Sequence, residues 1–141
     1  MRLRMIVLLP LLLVTGLAGC GNGKTKQSKY QYALEKINKR WDVVRRSFET
    51  DEPNIFFGII LKKDFADLVT AMERTYKASN RDEIVPRLKK LAKKFYADTD
   101  AVVGRTAGGG AVLQPGKTIE DVDKVIEEAY AEYQKIEKLV K

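Results

Sequence analysis

The chain has 141 residues, with 26 Lys or Arg against 19 Asp or Glu, a formal charge of +7, one cysteine and no histidine. Without an imidazole it lacks the commonest general base, the usual zinc and haem ligands and every histidine-dependent triad. The expectation is a non-enzymatic protein with no catalytic residue, no metal and no cofactor.

The chain opens with Arg2 and Arg4, then an apolar stretch from Met5 to Leu17 that is too short to span a bilayer, then Leu17-Ala18-Gly19-Cys20. This leader resembles the signal peptide of bacterial lipoproteins. The resemblance implies cleavage before Cys20 and a diacylglycerol on its thiol, so residues 1–19 are the expected signal peptide. Two or three acyl chains, at about 0.8 kcal/mol per buried methylene, anchor a domain without a spanning helix. The lipid takes the only cysteine, which leaves a core held by packing without a disulfide. Losing 1–19 removes Arg2 and Arg4, so 122 residues with a charge of +5 remain. The expected location is the cell membrane or outer membrane, with the domain outside the cytoplasm. Gly21 follows the cysteine, where the family's inner-membrane retention signal would be aspartate.

Residues 20–27 are polar and glycine-containing, the composition of a flexible tether. Residues 28–141 read as one helical bundle domain. Ser28 and Gln31 form a capping-box start, followed by Tyr30, Leu34, Ile37, Trp41, Val44 and Phe48 at alternating four and three residues. After Asp51-Glu52-Pro53, a second stripe carries Phe57, Leu61, Phe65, Leu68, Met72 and Tyr76 and ends near Ser79-Asn80. The apolar run Ile55 to Leu61 also suits a buried strand, but with no partner strand it reads as helix.

A third stripe holds Ile84, Leu88, Leu91, Phe95 and Val102, with Asp82 as the expected N-cap, Pro86 in the first turn and Gly104 as the C-terminal cap. The fourth opens on Thr118 with Asp121 and repeats Ile119, Val122, Ile126, Ala129, Tyr133, Ile136 and Val140. Helices over 28–49, 54–79, 83–103 and 118–140 have matched lengths and mostly short connections. The predicted fold is therefore all-α, an antiparallel up-down-up-down four-helix bundle.

Three patterns suggest chemistry. Ala111 to Thr118 loosely matches a phosphate-binding loop, but a parallel sheet around it is not expected. Glu127, Glu128 and Glu132 make an acidic surface without the glutamate–histidine spacing of di-metal bundles. The basic run Arg87 to Lys94 surrounds an apolar stripe, as on any amphipathic helix, so nucleic acid is not an expected partner.

The expected function is that of a membrane-tethered adaptor or spacer that binds another envelope protein. The alternative is a carrier of a small apolar or anionic ligand in or at the end of the bundle. Two surfaces follow from the topology. In an up-down bundle the residues 24–38, 66–92 and 130–141 share the anchored half and hold 13 Lys or Arg against 7 Asp or Glu. There Lys24, Lys26, Lys29, Arg81, Arg87 and Lys90 are the candidate contacts to anionic headgroups. At the distal end, the 14-residue connection Gly104 to Lys117 is expected to lay Val112 and Leu113 over Phe56 or Ile59, as a cap or a lid. The leader gives the first test: Cys20→Ala should remove the protein from the membrane fraction. A variant that stays with membranes through a high-salt wash would mean a different anchor.

Overall fold

The computed structural model describes residues 26–141, so Cys20, Lys24 and the leader lie outside the described residues. The fold is all-α with one small hairpin: α1 Lys29–Phe48, α2 Phe56–Thr75, α3 Arg81–Val102, β1 Val103–Arg105, β2 Ala111–Leu113 and α4 Ile119–Glu137. Among these, no helix is long and apolar enough to cross a membrane.

The helices start and stop for local reasons. Ser28 Oγ accepts from the Gln31 N–H while the Gln31 side chain accepts from the Ser28 N–H, and Thr118 and Asp121 do the same at α4. Each pair satisfies two backbone donors that the first turn leaves open. The run from Phe56 to Leu61 is helical.

Two boundaries depart from the sequence-based expectation. α2 stops at Thr75, four residues early, because Tyr76 turns into extended backbone and buries its ring beside Tyr30, with centroids 5.1 Å apart. Asn80 rather than Asp82 precedes α3. Its side chain does not cap the helix, since it accepts from Tyr76 Oη at 2.6 Å and donates to the Leu139 carbonyl at 2.6 Å. The earlier start places Pro86 in the second turn, where the missing N–H leaves the Asp82 carbonyl without its helical donor.

Gly104 does not cap α3 either. Helix gives way to extended chain at Val103, and Gly104 pairs with Val112 in an antiparallel register flanked by Val103–Leu113 and Arg105–Ala111. The Gly-rich link folds back with Gly109 at φ 82°, a left-handed conformation that suits glycine. The predicted long loop is thus a β-hairpin. Three-residue strands are too short to show an alternating pattern of their own.

The core joins the buried faces of all four helices. α1 meets α2 through Tyr30 with Thr75, Lys36 with Asp67 and Arg40 with Asp64. α2 meets α3 through Lys62 with Asp100 and Glu73 with Lys89, and α3 meets α4 through Lys94 with Glu128 and Arg87 with Glu132. α1 meets α4 through Arg45 with Glu127, and Asn38 with Tyr133 and Glu137. Gly58 allows α2 to approach α3: an added Cβ would lie 3.2 Å from Thr99 Cγ2.

At the centre stands Trp41, 1% exposed. Its ring lies 5.7 Å from Phe65 of α2, 6.3 Å from Phe95 of α3, and 5.3 and 5.9 Å from Tyr130 and Tyr133 of α4. The first two pairs are edge-on and the last two tilted, arrangements aromatic quadrupoles favour over a face-to-face sandwich, adding about 0.5–1.5 kcal/mol each beyond area burial. The indole Nε1 finds no acceptor among the described residues. Its role is therefore one of volume, and a buried unpaired donor costs about 1–3 kcal/mol. Trp41→Ala should lower unfolding free energy by about 3–5 kcal/mol, whereas Trp41→Phe, which also deletes the unpaired N–H, should lower it by less than about 2 kcal/mol. Urea denaturation of the two variants checks this, and equal losses would contradict it.

Candidate functional site

Outside the apolar core, the most chemically conspicuous group is Asp64, a carboxylate 3% exposed on the buried side of α2. Arg40 Nε donates to Oδ2 at 3.0 Å and Lys36 Nζ lies 2.8 Å from Oδ1. Lys36 reaches Asp67 as well, at 3.1 Å. The bond to Asp64 holds the Lys36 ammonium above its usual pKa range, so the lysine stays charged. Both carboxylate oxygens are occupied, and both cations are one-third exposed along their own side chains. This is a clamp between α1 and α2 with no reacting group aimed at open space. Sequence reasoning missed it, although a signal existed: Asp64 falls between Leu61 and Leu68 on the apolar stripe, and Lys36 and Arg40 are four apart on the partner helix.

The acidic surface of α4 is similarly engaged. Glu127 pairs with Arg45, Glu128 with Lys94, and Glu132 with Arg87 and Lys135. The Glu128–Lys94 and Glu132–Arg87 pairs line a groove of about 490 Å³ over Leu91 and Phe95. Three of the basic run's cations, Arg87, Lys89 and Lys94, are thus held by carboxylates of the same fold. Among the described residues no group of three or more Cys, Asp or Glu is placed to hold a metal ion.

The phosphate-loop-like stretch becomes β2, a turn with Gly116 at φ 75°, and the start of α4. Its strand pairs antiparallel with β1. The helix start is furnished with the chain's own acids. Thr118 and Asp121 engage each other's backbone, and a backbone N–H holds the Glu120 carboxyl below its usual pKa range. An incoming phosphate would meet carboxylates there.

Two ends of the molecule remain. At the first, the start of α1, the α2–α3 connection and residues 139–141 are tied together. The Tyr30 N–H donates to Thr75 Oγ1 at 3.2 Å and its hydroxyl to the Lys141 carbonyl at 3.3 Å, while the Lys141 N–H donates to Tyr76 Oη at 3.3 Å. Of the candidate headgroup contacts, Lys26, Lys29 and Lys90 are exposed and make no ion pair among the described residues. Arg81 is spoken for: one terminal nitrogen donates to the Glu73 carbonyl at 3.0 Å and the other sits 3.5 Å from Asp82. Arg87 is shared between Glu83 and Glu132. These two arginines close helix joints rather than project.

At the other end, the hairpin lies against α2 and α3. Ile59 is buried, and Phe56 and Leu113 are half-buried against the core. Val112 departs from the expectation, being 45% exposed. Strand alternation decides this, because burying Leu113 and Ala111 turns the residue between them to the opposite face. Beside Gly104 and Gln114, a groove of about 520 Å³ opens over Ile59, Ala66 and Val103. Tyr96, 56% exposed, stands on its wall with Lys62 Nζ 3.7 Å from its ring centroid, and Arg105 and Lys63 add positive charge. Tyr96 was not singled out from the sequence, although its place next to Phe95 puts it off the buried stripe, a large aromatic facing water.

No family model matches the chain, and no curated protein or solved structure matches it. The Asp64 clamp supplies the test for this part of the molecule. Replacing both cations, Lys36→Met with Arg40→Met, strands a buried carboxylate and should cost about 3–5 kcal/mol. Asp64→Leu frees two cations that reach water and should cost distinctly less. Chemical denaturation of both variants checks the order, and a larger loss for Asp64→Leu would contradict it.

Proposed function

We propose that this chain is a non-enzymatic envelope lipoprotein, anchored through Cys20, in which an up-down-up-down four-helix bundle serves as a spacer that offers its distal end to another protein. The cross-helix pairs support the alternating topology. Low-numbered residues of α1 meet high-numbered ones of α2 and α4, as in Tyr30 with Thr75 and Asn38 with Glu137, and α2 with α3 and α3 with α4 follow the same reversal.

The observation that carries the reading is the separation of the two ends. The tether enters at the start of α1, while the groove walled by Tyr96, with exposed Val112 paired to its lining residue Gly104, lies where α2 begins and α3 finishes. Helices of 20 to 22 residues hold them about 30 Å apart. A lipid on Cys20 therefore leaves the groove facing away from the membrane. An apolar floor with an aromatic wall and cations at the rim suits a protein segment that presents an apolar side chain next to a carboxylate.

A photo-crosslinking residue placed at Tyr96 or Val112 in living cells should trap the same protein, and one at Val43, exposed on α1, should not trap it. Tyr96→Ala, read with the crosslinker at 112, should cut the yield by about tenfold, as for a buried aromatic anchor. No adduct at either position, or the same adduct from Val43, would refute the reading.

A further inference from the structure

The anchored end has a chemical character of its own. Lys26 and Lys29 stand at the start of α1, Arg74 and Lys77 at the end of α2, and Lys138 just after α4. All five are exposed, and none makes an ion pair among the described residues. The carboxylates of the same region are each occupied. Asp82 faces Arg81, Glu83 faces Arg87, Glu73 holds Lys89, and Glu137 accepts from Asn38. The charge that remains for an outside partner is therefore almost wholly positive. The opposite end is mixed, with Glu49, Asp51 and Glu52 between α1 and α2 and Glu120, Asp121 and Asp123 opening α4, alongside exposed Arg46, Arg105 and Lys117.

We infer that this basic end-face rests on the anionic headgroups of the bilayer and so sets the domain upright on it. The inference rests on the anchored reading for its strength but has its own observation, the five unpaired cations. A bilayer is the occupant because of chain length: from Cys20 to Lys26 the backbone spans at most about 20 Å, which keeps the face close to the headgroups. A surface potential fades within about 8 Å at physiological salt, so proximity of this kind is required. Each basic residue near such a surface strengthens association by up to about fivefold. The hydrogen bonds that tie Tyr30, Tyr76, Asn80 and the last residues together hold the cations on one face instead of on separate fraying ends.

The test is lysine footprinting of the full-length lipidated protein on vesicles of phosphatidylcholine, with and without about one-third phosphatidylglycerol, the anionic headgroups that carry the attraction. An amine-reactive reagent and mass spectrometry report each lysine. The expected result is slower labelling of Lys26, Lys29, Lys77 and Lys138 on the anionic vesicles only, by about fivefold, with Lys117 and Lys124 unchanged. High salt should abolish the difference. Lys29→Gln with Lys77→Gln, both exposed and outside the core, should remove the protection of Lys26 and Lys138 while leaving the helical circular dichroism intact. Equal labelling on the two compositions, or protection that extends to Lys117 and Lys124, would overturn the inference. Protein that washes off neutral vesicles yet is captured by anionic ones would sink the lipid anchor and leave the basic face standing.

Discussion

The fold depends on Trp41. One indole touches an aromatic ring from each of the other three helices, and Phe65 and Phe95 close the circle at 5.3 Å from each other. The constraint is geometric. A side chain of this volume at the middle of α1 sets how far apart α2, α3 and α4 stand, and close packing leaves little room for any other spacing. Its unpaired N–H shows that a hydrogen bond does not hold it there. The same cluster fills the space between the helices, and the grooves over Leu91 and over Ile59 open at the surface.

Around this centre, polar groups supply register. The Asp64 clamp fixes α1 against α2, Asn38 fixes α1 against α4 through Tyr133, and Arg87 and Lys94 fix α3 against α4. Burial pushes the pKa of the Tyr133 hydroxyl up, so it remains a donor to Asn38. Exposed pairs such as Arg45 with Glu127 add little each, about 0–1 kcal/mol, whereas a stranded Asp64 is costly. The arrangement neutralises many of the charges near the grooves. Their partners belong to the same chain.

Periodicity made the four helices legible, because burial of one face repeats every three or four residues and leaves its record in residues such as Ile37, Leu68, Leu88 and Ile126. Capping boxes at Ser28 and Thr118 fixed two starts, since their signal is local. What failed was decided by distant partners. Nothing near Tyr76 says that it will be buried against Tyr30 and end α2 early, and Asp82 reads as the N-cap of α3 although the helix starts two residues sooner, after Asn80. The hairpin was missed because its strands are three residues each, and Val112 was placed on the wrong side because alternation cannot be applied before a strand is recognised. At the candidate surfaces the residue types were readable, but which cations are free was not. Arg81 and Arg87 differ from Lys26 and Lys29 only through the helices that meet them.

That last distinction bears on how a small helical domain divides its surface. An ion pair spends a charge inside the fold, and an unpaired one projects its field outward. Around the start of α1, helix ends converge and nearly every carboxylate finds a cation or an amide, so the surplus is positive by subtraction. At the opposite end, the acids of α4 serve its own first turn, where they complement the helix dipole and satisfy backbone donors. The resulting polarity follows from local rules of helix capping and joint closure. It gives the domain a direction along its long axis, set by where helix ends meet and which charges they pair.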